Sequence, residues 1–67
     1  MKPDIALHNP CPVYLRGLLD QAGLTQVQAA ERIGVSARMM RYYLADGDKH
    51  RAAPYMVQFA LECLARA

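Results

Sequence analysis

Long hydrophobic runs are missing from this chain. Its apolar stretches extend for only a few residues, far short of the roughly 20 a helix needs to cross a bilayer, which excludes a transmembrane span. The opening residues MKPDIALHNPCP lack the apolar core of a signal peptide and carry three prolines and an aspartate. Residues 1–12 therefore read as an N-terminal arm and the protein as cytoplasmic. Cysteine is also sparse. Cys11 and Cys63 lie 52 residues apart with no CxxC or HxxxH set beside them, so no zinc site is expected. Spacing alone does not exclude a disulfide, but cytosolic thiols stay reduced. Cys63 falls in an apolar helical stripe, where it is expected to pack as a small hydrophobe. The β-branched residues are few and never alternate over the length of a strand, which argues against a sheet. Catalytic constellations are missing as well. His8 and His50 have no partner at a meaningful spacing, and Asp46-Gly47-Asp48 has the composition of a turn. No enzyme activity, cofactor or metal is expected, and no small-molecule ligand.

What is present suits a small all-α domain. With 67 residues, 54% of them apolar and 21% charged, the chain has the composition of one compact domain rather than a disordered tail. At this size only about 60% of the unfolded surface can be buried. Ala, Leu, Arg, Gln and Met favour helices, and a bundle of four or five helices is expected over residues 13–67. The first begins near Pro10 to Pro12, proline being tolerated in a first turn. It presents Leu15, Leu18, Leu19 and Ala22 on one face and stops at Gly23. Thr25 and Gln28 make the capping-box pattern T-x-x-Q, opening a second helix over about 26–33 with Ala29, Ala30 and Ile33 inward, until Gly34 breaks it. Ser36 caps a third over about 37–45. A turn and a polar loop, Lys49, His50 and Arg51, lead to Pro54, which starts the fourth. Met56, Val57, Ala60, Leu61 and Leu64 recur along it at helical spacing, with Phe59 and Cys63 widening the stripe.

Net charge is only +2, but its distribution is uneven. Between Arg32 and Arg51 there are five basic residues against two aspartates, so the middle of the chain is its basic part. The third helix, within SARMMRYY, lies there. At 100° per residue, Met40, Tyr43 and Leu44 share a core-facing side. Arg38 and Tyr42, at i and i+4, share the opposite side with Arg41 and Ala45 beside them, and Ala37 and Met39 lie at the flanks. Two short helices joined by the tight connection Gly34-Val35-Ser36 form a helix-turn-helix pattern, in which the second helix projects its outer face.

TQVQAAERIGVSARMMRYYL resembles the helix-turn-helix of phage repressor and Cro-like regulators. Gln26 stands at the start of the first helix, Ala30 at the helix crossing and Gly34 at the turn; Ile33, Val35, Met40 and Tyr43 are at the apolar positions. YLRGLL, MRYYL and APYMVQFALECLA extend the likeness over roughly residues 13–65 to the anti-CRISPR-associated regulators, small phage or mobile-element proteins that repress the operon encoding an anti-CRISPR and themselves. This chain departs from them at Val27 and Gln28, where those relatives carry an arginine pair, so their phosphate contacts do not transfer, although Gln28 retains a weaker donor. The resemblance implies a repressor that binds double-stranded DNA. Arg38 is expected to meet guanine O6 and N7 as a fork, with Tyr42, Arg41 and Ala37 as further base contacts. Thr25, Gln26 and Ser36, at helix starts, and Lys49, His50 and Arg51, in the loop, are expected at phosphates, where they position rather than specify. Val57, Leu61, Leu64 and Ala60 are the expected seam of a homodimer on an inverted repeat. The competing reading is a protein-interaction module of the same fold, such as a prophage antitoxin or an anti-CRISPR.

Overall fold

The computed structural model describes residues 2–66, and these are all-helical. Four α-helices follow one another: α1 Pro12–Ala22, α2 Gln26–Ile33, α3 Ala37–Leu44 and α4 Tyr55–Arg66, with short 3-10 turns at Ile5–Leu7 and Gly47–Lys49. Each boundary has a local cause. Pro12 occupies the first turn of α1, and Gly23 ends it at φ +70°, with the Leu24 N–H donating to the Leu19 carbonyl at 3.2 Å. That left-handed glycine closes the helix by satisfying carbonyls that have no partner within it. The capping box of α2 is complete. Gln28 N–H donates to the Thr25 hydroxyl at 3.1 Å and Thr25 N–H to Gln28 Oε1 at 3.0 Å. Gly34, at φ +81°, stops α2, and three residues later α3 has begun under the Ser36 hydroxyl, which accepts from Met39 N–H at 3.1 Å. Helix α3 ends at Leu44, one residue before the sequence expectation, because Ala45 is already extended.

The core is built from Leu15, Leu18 and Leu19 of α1, Ala29 and Ala30 of α2, Met40 and Leu44 of α3, and Val57 and Leu61 of α4, together with Ala53. Removing a large side chain of this kind from water stabilises by roughly 1.5–3 kcal/mol. Helix α1 packs most extensively on α4, and α2 on α3. The alanines at 29 and 30 leave no bulk between α2 and its neighbours. Tyr43, Ile33, Val35 and Leu64 pack partly buried around this core. The hydroxyl of Tyr14 on α1 donates to the Glu62 carboxylate on α4. That hydrogen bond, then burial and the carboxylate's charge, push the phenol up to about 12.

Helix α4 turns toward the core the side on which the dimer seam was expected. Val57 and Leu61 are buried within the single chain, at 8% and 1% exposure, and Leu64 packs partly against the core, whereas Met56 is 78% exposed. Leu61 therefore has almost no surface left for the seam expected of it and Val57 only an edge, and Cys63 is exposed rather than packed inside. Cys11 and Cys63 are not joined in a disulfide.

The arm, too, is part of the fold. Gln58, only 1% exposed, receives the Asn9 N–H on its Oε1 at 2.6 Å and donates from Nε2 to the Leu7 carbonyl at 3.0 Å and to Glu62 at 3.1 Å. The Asp4 N–H donates to the Tyr55 hydroxyl at 2.8 Å. A buried amide that lacked such partners would carry the full cost of its desolvation, so the arm and α4 satisfy one another. The domain therefore begins well before residue 13; Met1 lies outside the described residues. No helix among these residues is long and apolar enough to cross a membrane.

Candidate nucleic-acid interface

The two short helices α2 and α3 are joined through Gly34, Val35 and Ser36. The tight connection works because Gly34 takes the left-handed conformation, while the Gly34 and Val35 N–H groups both donate to the Ala30 carbonyl, at 2.9 and 3.0 Å. With Met40 and Leu44 buried and Tyr43 packed on the core, α3 must turn the remaining side outward. Arg38, Met39 and Arg41 are exposed, and Ala37, Tyr42 and Ala45 are half-buried.

Arg38, Arg41, Tyr42, Ala45 and Lys49 line one open cleft of about 300 Å³. The Arg38 Nε–H points to the Tyr42 hydroxyl at 3.4 Å, and its guanidinium carbon lies 5.9 Å from the centre of the phenol ring. Both distances are at the outer limit of a hydrogen bond and a cation–π contact, so the pair is aligned without being locked. The two terminal nitrogens of Arg38 remain for a partner. The Arg38 hydrogen bond and then its charge hold the Tyr42 phenol below its usual range, and Lys49 and Arg51 act in the same direction. The same contact lifts the Arg38 guanidinium above its ordinary value. Tyr42 therefore senses positive charge from α3 and from the following loop together.

The loop is fastened to α3. The Arg51 N–H donates to the Tyr42 carbonyl at 3.0 Å and the His50 N–H to Gly47 at 3.1 Å. At its start, Arg16 of α1 reaches both carboxylate oxygens of Asp46, at 3.0 and 3.1 Å. Exposed to this degree, the pair contributes little stability, and it links α1 to the loop's first turn. Lys49 and Arg51 are exposed. His50 is half-buried, and its Nδ1 is enclosed with no hydrogen-bond partner among the described residues, so it is the least available of the three expected at phosphates.

The structure thus brings Arg38, Arg41, Tyr42 and Lys49 to one cleft and leaves Ala37, half-buried, outside its lining. Thr25, Gln26, Gln28 and Ser36 are exposed at the starts of α2 and α3. The hydroxyls of Thr25 and Ser36 accept from backbone N–H groups, which leaves each O–H proton to donate outward. Gln28 commits its oxygen to the cap, so only its amide nitrogen can donate to a partner. Ala45 in the cleft wall and Asp46 with its arginine are additions to the site residues expected from the sequence; Ala45 lies beyond the end of α3, but its helical spacing from Arg38 and Tyr42 is the signal that points to it.

On α4, Met56, Val57 and Ala60 line a shallow apolar groove of about 250 Å³ with Ile33 and Val35. Of the expected seam residues, Ala60 lies half-buried in this groove and Val57 shows it only an edge. Among the described residues, no three His, Cys, Asp or Glu side chains converge as a metal site would require. No protein-family model matches the chain, and no curated protein matches it.

Proposed function

We propose that this protein is a sequence-specific DNA-binding regulator that inserts α3 into the major groove. The observation that carries the reading is the cleft on the outer face of α3, where Arg38, Arg41 and Lys49 converge around Tyr42 without a carboxylate among them. A groove of B-DNA accommodates a helix, and a guanidinium fork matches guanine O6 and N7. Arg38 is the reading residue, Arg41 and Tyr42 adjoin it, and Ala37 meets a thymine methyl at the flank. Thr25, Gln26, Gln28, Ser36, Lys49 and Arg51 donate to phosphates on either side, and His50 follows if its outer edge turns toward the backbone.

One module with so few base contacts discriminates poorly among genomic sites, which favours a homodimer on an inverted repeat. Its half-sites would lie about 10 bp apart or a multiple of that. The groove of Ile33, Val35, Met56, Val57 and Ala60 supports placing the partner copy there. Met56 protrudes beside a depression, and a two-fold interface needs one patch to supply both knob and hole. Repression of an operon that encodes an anti-CRISPR and this protein is the biological role that MRYYL and APYMVQFALE suggest. The same apolar groove also favours the second reading, a module that binds another protein through α4.

A salt titration tests the proposal. With the duplex upstream of its own gene, log K should fall against log salt by about 0.9 for each phosphate contact. Arg38→Ala should lose roughly 10- to 100-fold of the preference for the wild-type site over a guanine-substituted one. Affinity insensitive to salt, or undiminished discrimination by Arg38→Ala, would sink this assignment.

A further inference from the structure

The loop that carries Lys49 and Arg51 has little packing to hold it. Residues 45–52 are all exposed or half-buried, and segments of that kind open locally at low free energy. Three polar ties compensate. Two have been described, Arg16 on Asp46 and the Arg51 N–H on the Tyr42 carbonyl. The third comes from the arm, where His8 Nε2 lies 2.8 Å from the Ala53 carbonyl, two residues beyond Arg51. A carbonyl only accepts, so Nε2 must carry the proton.

We infer that the N-terminal arm braces the basic loop, with His8 acting as a positioning residue for Lys49 and Arg51 at the DNA backbone. The inference rests on the DNA-binding reading above and adds the arm to its machinery. His8 is held from both sides by one buried side chain, because Gln58 takes the carbonyl of Leu7 and the N–H of Asn9. The residue between these two clamped neighbours reaches the loop. Its ring also meets Tyr55 edge-on, with centroids 6.0 Å apart at 71°. The buried Ala53 thus ends the loop at a point whose main chain is secured to the arm, while Arg51 secures the other side to α3. Both the Nε2–H tautomer and the imidazolium donate from Nε2, so the brace persists whichever form is present. An ordered loop presents its cations without losing chain entropy on binding, which is how preorganisation raises affinity.

The test uses the full chain as wild type, His8→Ala and His8→Gln, since glutamine carries an N–H donor at similar reach. Amide exchange at Arg51 is followed by NMR on the protein alone, and binding to a short random-sequence duplex is measured across salt. His8→Ala should exchange the Arg51 amide at least about tenfold faster and flatten the salt slope by about one contact's worth or more. The base preference selected from a duplex library should be unchanged, and His8→Gln should restore exchange and slope. Unchanged Arg51 exchange and slope in His8→Ala overturn the brace, as does a glutamine variant as impaired as the alanine one. Should the wild type fail to bind duplex at all, the DNA reading falls, while the exchange data still decide whether the arm orders the loop.

Discussion

Tyr42 and Tyr43 are adjacent in the chain and lie in different surroundings. Tyr43 packs partly buried on the core, while the Tyr42 hydroxyl faces Arg38. The 100° step between successive helical residues is enough to separate them, and composition alone would not. Truncating Tyr43 to alanine should cost about 1–2 kcal/mol of stability, a partial burial of an aromatic ring, read as a lowered midpoint in urea with little change in which DNA is preferred. Tyr42→Phe removes only the hydroxyl that Arg38 Nε–H approaches. Its urea midpoint should match the wild type, while affinity for the operator falls severalfold. A destabilised Tyr42→Phe with normal affinity would reverse the two assignments.

Helices α1, α2 and α3 were legible in the sequence because their ends are set by local chemistry: Pro12 and Gly23, the Thr25–Gln28 box, Gly34 and Ser36. The outer face of α3 was legible for the same reason, since its apolar residues occupy a narrow arc. Helix α4 was not. Met56, Val57, Phe59, Ala60, Leu61, Cys63 and Leu64 spread around so much of its circumference that hydrophobicity does not fix its phase. The phase instead reflects Gln58, a polar residue buried because the arm supplies partners from residues 49 and 51 positions away, a relation that leaves no periodicity to read. The α1–α4 contact carries a pH dependence of its own. Tyr14 has its folded pKa raised to about 12 by Glu62, against about 10 unfolded. Its contribution is complete below pH 10 and is lost as pH rises through 12, where the unfolded chain ionises first. Thermal stability of the wild type should therefore fall more steeply across that window than that of Tyr14→Phe, which has no phenol to ionise. Parallel curves would show that the Glu62 contact does not govern alkaline unfolding.

For the molecule as a whole, the question is which surface would meet a second copy in the proposed dimer. Leu61 is 1% exposed, so an aspartate there places a charge in the core and unfolds the chain, which says nothing about association. Met56 is 78% exposed, so Met56→Asp should fold with unchanged helical circular dichroism. In sedimentation it should be a monomer, with weakened binding to an inverted repeat but undiminished binding to a single half-site. An unaltered dimer would move the interface away from the Met56 groove.

The contact between Arg16 and Asp46 bears on the field of the protein more than on its stability. Asp46 directly follows Ala45 in the cleft wall, so its carboxylate is one of two, with Asp48, that the chain places beside the cations of the cleft. Held on Arg16, its carboxylate is spent on a cation outside the cleft. The molecule thereby carries an internal counter-ion that is kept off the proposed binding face. Small ions from solution must then neutralise that face, and their displacement by a polyanion is entropically favourable.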